Sequence, residues 1–197
     1  MMNHLEKLID LWSRMDDQSY LTALIAYRIA PTLALKKPAS LLSFSRNRRD
    51  HYSLWEKHKD GVEGRLHLKF TEIRRTGESV LVLFYDADAL KKTIFTRQNR
   101  DFLRLYGYGN EMDLNRHLEF LQKRFRSGFP HEIGIFLGIP LEDVRGFIEN
   151  RGKRFLLNKY WKVYHNQERA RDIFHAYDRA RREMMASLSE PDLKLSV

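Results

Sequence analysis

The sequence contains no cysteine. That excludes disulfides, cysteine-ligated zinc and haem, iron–sulfur clusters and thiol nucleophiles together. It also lacks a long apolar stretch: the longest run is Val80-Leu81-Val82-Leu83-Phe84-Tyr85, where a membrane-spanning helix needs about 20 residues. The opening residues, Met1-Met2-Asn3-His4-Leu5-Glu6-Lys7, show no basic segment leading into an apolar one, so no secretory signal is read. Glycine (10) and proline (5) are scarce in 197 residues and nowhere concentrated, so no linker or low-complexity tract divides the chain. Neither common glycine-rich phosphate loop is present, nor a Gly-x-Ser-x-Gly elbow. The eight histidines are scattered without the spacing of a metal site. These absences describe a cytoplasmic protein with no membrane segment, read as one domain over residues 1–188 and a flexible tail over 189–197.

What is present is positive charge and apolar periodicity. Lysine and arginine number 35 against 26 acidic residues, a formal net charge of +9. Leu5, Leu8, Ile9, Trp12 and Met15 recur at helical spacing, as do Leu21, Leu24 and Ile25, with a stop near Ala30 before Pro31. Leu41-Leu42-Ser43-Phe44 reads as a short strand, followed by a polar helix through Tyr52 and Trp55. Leu66, Leu68 and Phe70 alternate with polar residues as a half-buried strand does. Arg75-Thr76-Gly77-Glu78 then turns the chain, and Val80–Tyr85 reads as a strand buried on both faces. A turn this short makes the pair an antiparallel hairpin. Helices follow, one capped by Asp86 or Asp88 and one carrying Leu114, Leu118, Leu121 and Phe125. Trp161-Lys162-Val163-Tyr164 reads as a third strand joining the hairpin, ahead of a long last helix. The expected fold is therefore α+β, a helix-rich single domain around a small, mostly antiparallel sheet with a central β-hairpin.

Three blocks occur in a recognisable order. They are Ala30-Pro31-Thr32-Leu33; Phe129-Pro130-His131-Glu132-Ile133-Gly134 running through Pro140 to Asn150; and Trp161-Lys162-Val163-Tyr164. Together they resemble the domain-of-unknown-function family 3793, found mostly in anaerobic Firmicutes. The resemblance implies no assigned activity, cofactor or catalytic residue. Members often carry cysteines near the first and last blocks, where this chain has Tyr27-Arg28-Ile29 and Leu157-Asn158-Lys159-Tyr160.

The middle block also reads as a helix-turn-helix over 130–148, with Ile133, Leu137, Ile139, Val144 and Phe147 at packing positions and Gly138 in the turn. Arg145, Arg151, Lys153 and Arg154 would then contact DNA. Against this, Glu142 and Asp143 are read as exposed on the second helix, where phosphates would repel them, and Gly146 offers no side chain to a base. Packing is the favoured account. His131-Glu132 resembles a catalytic pair, but Pro130 suits a first helical position and Glu132 a capping acid folded back on its own helix start. Arg46, Arg48 and Arg49 form the better of two basic runs for holding an anion. No cofactor or metal is named by any of these residues. The expected function is a non-catalytic or accessory protein binding a small anionic ligand, a cofactor or an acidic protein partner. His131, Glu132, Trp161, Lys162, Tyr164, Arg46, Arg48 and Arg49 are the candidate ligand-binding residues. Nucleic-acid binding through the 130–148 pair is one alternative. An enzyme with a site assembled around His131 and Lys162 is another.

Overall fold

The computed structural model describes residues 12, 15–46 and 49–189. Most of the helix read at Leu5–Met15, Arg48 of the basic run, and the tail beyond Ser189 lie outside the described residues. In chain order the elements begin with α1 (Asp17–Arg28), α2 (Ala30–Leu33), β1 (Ala39–Ser45), α3 (His51–His58) and α4 (Val62–Leu66). Then come β2 (Lys69–Arg75), β3 (Ser79–Tyr85), α5 (Ala87–Ile94), α6 (Arg97–Arg104) and α7 (Leu114–Arg126). The chain closes with α8 (Ile133–Phe136), α9 (Leu141–Glu149), β4 (Leu157–Asn158), β5 (Lys162–Val163) and α10 (Gln167–Ser187). It is a helix-rich α+β fold around a three-stranded antiparallel sheet of order β1-β3-β2. No helix among the described residues is long and apolar enough to cross a membrane.

Short acids start the helices. Asp16, Asp50, Asp86 and Asp113 each accept a first-turn backbone N–H of the helix that follows, and Asn166 does so for α10. A carboxylate or amide there satisfies amides that have no partner within the helix, and the acids also favour its positive end.

Strand β3 is central and splits its side chains by strict alternation. Val80, Val82 and Phe84 join Phe44, Trp55, Leu21 and Ile25 under α1, α3 and α4. Leu83 and Tyr85 join Leu90, Leu103, Leu118, Phe125 and Phe136 under α5 to α9. One strand thus feeds two cores, which is why its apolar run shows no polar alternation. A bulge at Ile73 shifts the β2 register between Glu72 and Arg74, and Gln122 of α7 donates to the Glu72 carbonyl at 2.8 Å.

Three expectations are corrected. The sheet's third strand is β1, paired residue for residue from Ala39↔Tyr85 to Ser45↔Ser79. Trp161–Tyr164 does not join it; Lys162 and Val163 pair with Asn158 and Leu157 in a separate hairpin. A seven-residue ladder satisfies the free edge of β3 far better than a two-residue one. The other hairpin strand begins at Lys69, because Leu66 ends a helix and His67 turns the chain with φ +51°. Finally, α1 ends at Arg28, near the expected Ala30, but Ala30 is itself helical, opening α2 with Pro31 in its first turn, where the missing N–H costs nothing.

Candidate functional site

The middle block and the last hairpin meet at one place. Helix α8 is a single turn, and Gly138 reverses the chain after it with φ +74°. A side chain on Gly138 would meet Pro38 Cδ at 2.5 Å, so both the left-handed backbone and the crowding demand glycine. Pro140 then caps α9, which puts Asp143 at its third position rather than on its outer face. The expectation that Asp143 is exposed is overturned: it is 3% exposed. Its Oδ2 accepts from Trp161 Nε1 (2.7 Å), and its Oδ1 accepts from the Tyr164 and His165 backbone amides (2.7 and 3.0 Å). Three N–H donors compensate a carboxylate drawn out of water. Together they fasten the β4–β5 hairpin to α9. Gly146, one turn on, completes the fit, since a Cβ there would meet Tyr164 Cβ at 2.4 Å.

Between α8, α9 and this hairpin lies a cavity of about 280 Å³. Its wall is apolar, with Ile133, Leu137, Ile139, Val144, Phe147 and Trp161. Three side chains bring nitrogen or amide chemistry to it: His131, Asn158 and Lys162. Lys162 Nζ donates to the Gly152 carbonyl at 2.7 Å and lies 5.1 Å from the centre of the Phe155 ring. That one bond leaves two of its three ammonium hydrogens for another acceptor. His131 is exposed at the mouth and meets the Phe147 ring edge-on at 5.0 Å between centres. Phe129, 58% exposed, lines the same mouth. Among the described residues, the only carboxylate in the lining is that of Asp143, already engaged by three donors.

The structure brings His131, Trp161 and Lys162 together and disperses the other candidates. Glu132 is fully buried and does not fold back on its own helix start; it accepts from Arg124 Nε at 2.7 Å. The guanidinium one helix away offers a charged partner that a helix start lacks. Tyr164 packs on Gly146 with its hydroxyl buried and without a partner among the described residues. Burial, helped by the charge of Asp143, pushes its phenol above the ordinary value. Arg46 lies against Tyr52 (5.1 Å) and Arg49 against Tyr20 (3.4 Å), beside β1 and α3 and away from the cavity lining. Arg145 covers Phe102 at 5.6 Å. Arg151, Lys153 and Arg154 are exposed in the loop after α9, the two arginines with φ +51° and +56°.

The helix-turn-helix reading meets a one-turn first helix and a second helix covered by the hairpin on the side carrying Asp143 and Gly146. Asp143, Phe147 and Asn158 were not singled out for the site. Their partners lie up to 22 residues away, beyond the reach of any local spacing rule. Among the described residues, no group of three or more histidine or acidic side chains is placed to hold a metal ion.

The family described as Protein of unknown function (DUF3793) matches residues 25–194. The chain belongs to this family. The match spans every residue of the cavity and of the Asp143 staple. No curated protein and no solved structure matches the chain. The DUF3793 assignment therefore places the site within the family's own domain and leaves its chemistry to be argued from the residues.

Proposed function

We propose that this protein binds a small, largely apolar anion in the cavity between α8, α9 and the β4–β5 hairpin, as an accessory rather than a catalytic component. One observation carries the reading: an apolar cavity holds a lysine with free donors, and the only carboxylate that lines it among the described residues is already committed. Apolar walls favour a hydrocarbon or aromatic body, at roughly 25 cal/mol per Å² removed from water. Lys162 and His131 fix the orientation of a charged end, as the few polar groups of a ligand pocket do. At about 280 Å³ the cavity lies at the small end of ligand pockets, which argues for a metabolite rather than a dinucleotide. The net charge of +9 assists encounter with any anion. Catalysis is less favoured, because no uncommitted carboxylate among the described residues lines the cavity to orient His131 or activate Lys162.

The test is titration with octanoate, phenylacetate and phenyl phosphate, followed by tryptophan fluorescence and thermal shift. At least one should bind at millimolar concentration or better, and Lys162→Gln should weaken it about tenfold, or about 1.4 kcal/mol. Failure of all three to bind, or equal binding by Lys162→Gln, overturns the reading.

A further inference from the structure

A second cluster stands apart from the cavity, where the loop after α2 meets the last helix. Two backbone tethers hold Lys37 there: its N–H donates to the Pro31 carbonyl (3.3 Å), and the next carbonyl, of Pro38, accepts from the Asp86 N–H (3.1 Å). The side chain crosses to α10, with Nζ 5.6 Å from the centre of the Tyr177 ring. Arg181 lies one turn further along the same helix face. Its guanidinium covers the Tyr160 ring at 4.9 Å and donates through Nη1 to the Tyr160 hydroxyl at 3.3 Å. Of its other donors, Arg181 Nε is buried without a partner among the described residues.

Neither cation pairs with a carboxylate among the described residues. The nearby acid on α10, Asp178, is engaged on both oxygens, by Lys159 Nζ and by the Tyr160 hydroxyl, each at 2.6 Å. Burial first, and the Arg181 charge second, hold the Lys37 ammonium down at about 8. Burial pushes the Tyr160 and Tyr177 phenols up to about 12, so no phenolate neutralises the pair. Two like charges half out of water, one with an orphaned N–H, are unfavourable unless an anion joins them.

We propose that Lys37 and Arg181 form a binding site for a compact oxyanion, a phosphate group, seated between the ammonium and the guanidinium beside the Tyr160 hydroxyl. Guanidinium supplies directional donors and the ammonium a point charge, the usual pairing for phosphate. This site shares no residue with the cavity, so it stands or falls independently of the function proposed above.

Competitive acetylation of the full chain at about pH 8, read lysine by lysine by mass spectrometry, tests it. The arms are inorganic phosphate, glycerol phosphate, and chloride at matched ionic strength. Because an anion stabilises the unreactive ammonium, millimolar phosphate should slow Lys37 roughly tenfold relative to chloride and leave the exposed Lys36 and Lys57 unchanged. Slowing by both phosphates assigns the site to the phosphoryl group of a larger ligand; slowing by the inorganic ion alone assigns it to free phosphate. Arg181→Gln should abolish the effect and Arg181→Lys should keep part of it. Lys37 labelling in the native chain that ignores phosphate, or that is slowed equally in Arg181→Gln, overturns the proposal.

Discussion

The two sides of β3 are held together by different physics. On the α1–α3 side the fit is aromatic: Phe44 stacks on Trp55 at 4.8 Å, and Trp55 meets Phe84 edge-on at 5.7 Å. It carries polar contacts too, the buried Thr32–Ser40 hydroxyl pair (2.7 Å) and, at the rim, Glu72, which accepts from Trp55 Nε1 (2.9 Å) and Lys59 (3.0 Å). On the α8–α9 side two carboxylates are taken inside. Asp143 fastens the hairpin and Glu132 pairs with Arg124. The aromatic side is built mainly on ring contacts. The other side is assembled by hydrogen bonds and close glycine contacts, and between them it leaves a cavity. Hydrophobic contact is non-directional and collapses around any gap it can reach, whereas a fixed set of hydrogen bonds holds surfaces at a set spacing.

The comparison can be broken most forcefully at Trp55. Trp55→Ala should destabilise the fold by about 4 kcal/mol in urea denaturation, by opening a large hole in a closed aromatic packing. Asp143→Ala should cost about 3 kcal/mol, since it leaves three donors unpaired, one of them a buried indole N–H and two of them half-buried amides. The distinction is where the loss falls: hydrogen exchange should accelerate at residues 157–165 and leave the β1-β3-β2 ladder protected. Equal acceleration in the sheet would show that the two sides are one cooperative unit.

Gly138→Val should cost about 2 kcal/mol, from a left-handed backbone and collision with Pro38. Thermal melts would measure it, and a loss under about 0.5 kcal/mol would remove the crowding argument.

Acid provides a gentler probe of the aromatic side. Burial alone would raise the Glu72 carboxyl, but hydrogen bonds from Arg75, Trp55 and Lys59 outweigh it and hold the group below its ordinary value of 4.5. A carboxyl depressed in the folded state binds fewer protons there than in the unfolded chain. Its stabilisation is therefore complete above that ordinary value and fades as pH falls through the lower, folded one. Denaturation midpoints in that range should flatten in Glu72→Gln. The smallest effect is expected at His131, where Ala should change stability by no more than about 0.5 kcal/mol, because the side chain is exposed. If His131→Ala weakens anion binding without touching the melt, the mouth of the cavity is sharpened to that residue.

Much of the sheet could be read from local pattern. Val80–Tyr85 is apolar on both faces because it serves two cores, and the Thr76–Glu78 turn leaves only an antiparallel return. Asp86 before Leu90 and Ile94 announces a helix start, and the cap is there. The site was legible only in part. His131 on the one hand and Trp161 and Lys162 on the other come from blocks far apart in sequence, and the cavity joins them. Asp143 reads as exposed from sequence because an acid in a first turn meets only solvent when its own helix is considered alone.

Sequence alone determined the class of fold, the central strand, the helix start at Asp86 and the family, since periodicity, capping and block order are properties of neighbours in the chain. Tertiary structure alone decided which strand closes the sheet, which carboxylates go inside, and where the cavity forms. Those outcomes depend on donors and edges far away in sequence: a free ladder on β3, an indole N–H 18 residues from Asp143, and a guanidinium eight residues from Glu132. A buried charge is stable only where such partners converge, and convergence exists only once the chain has folded.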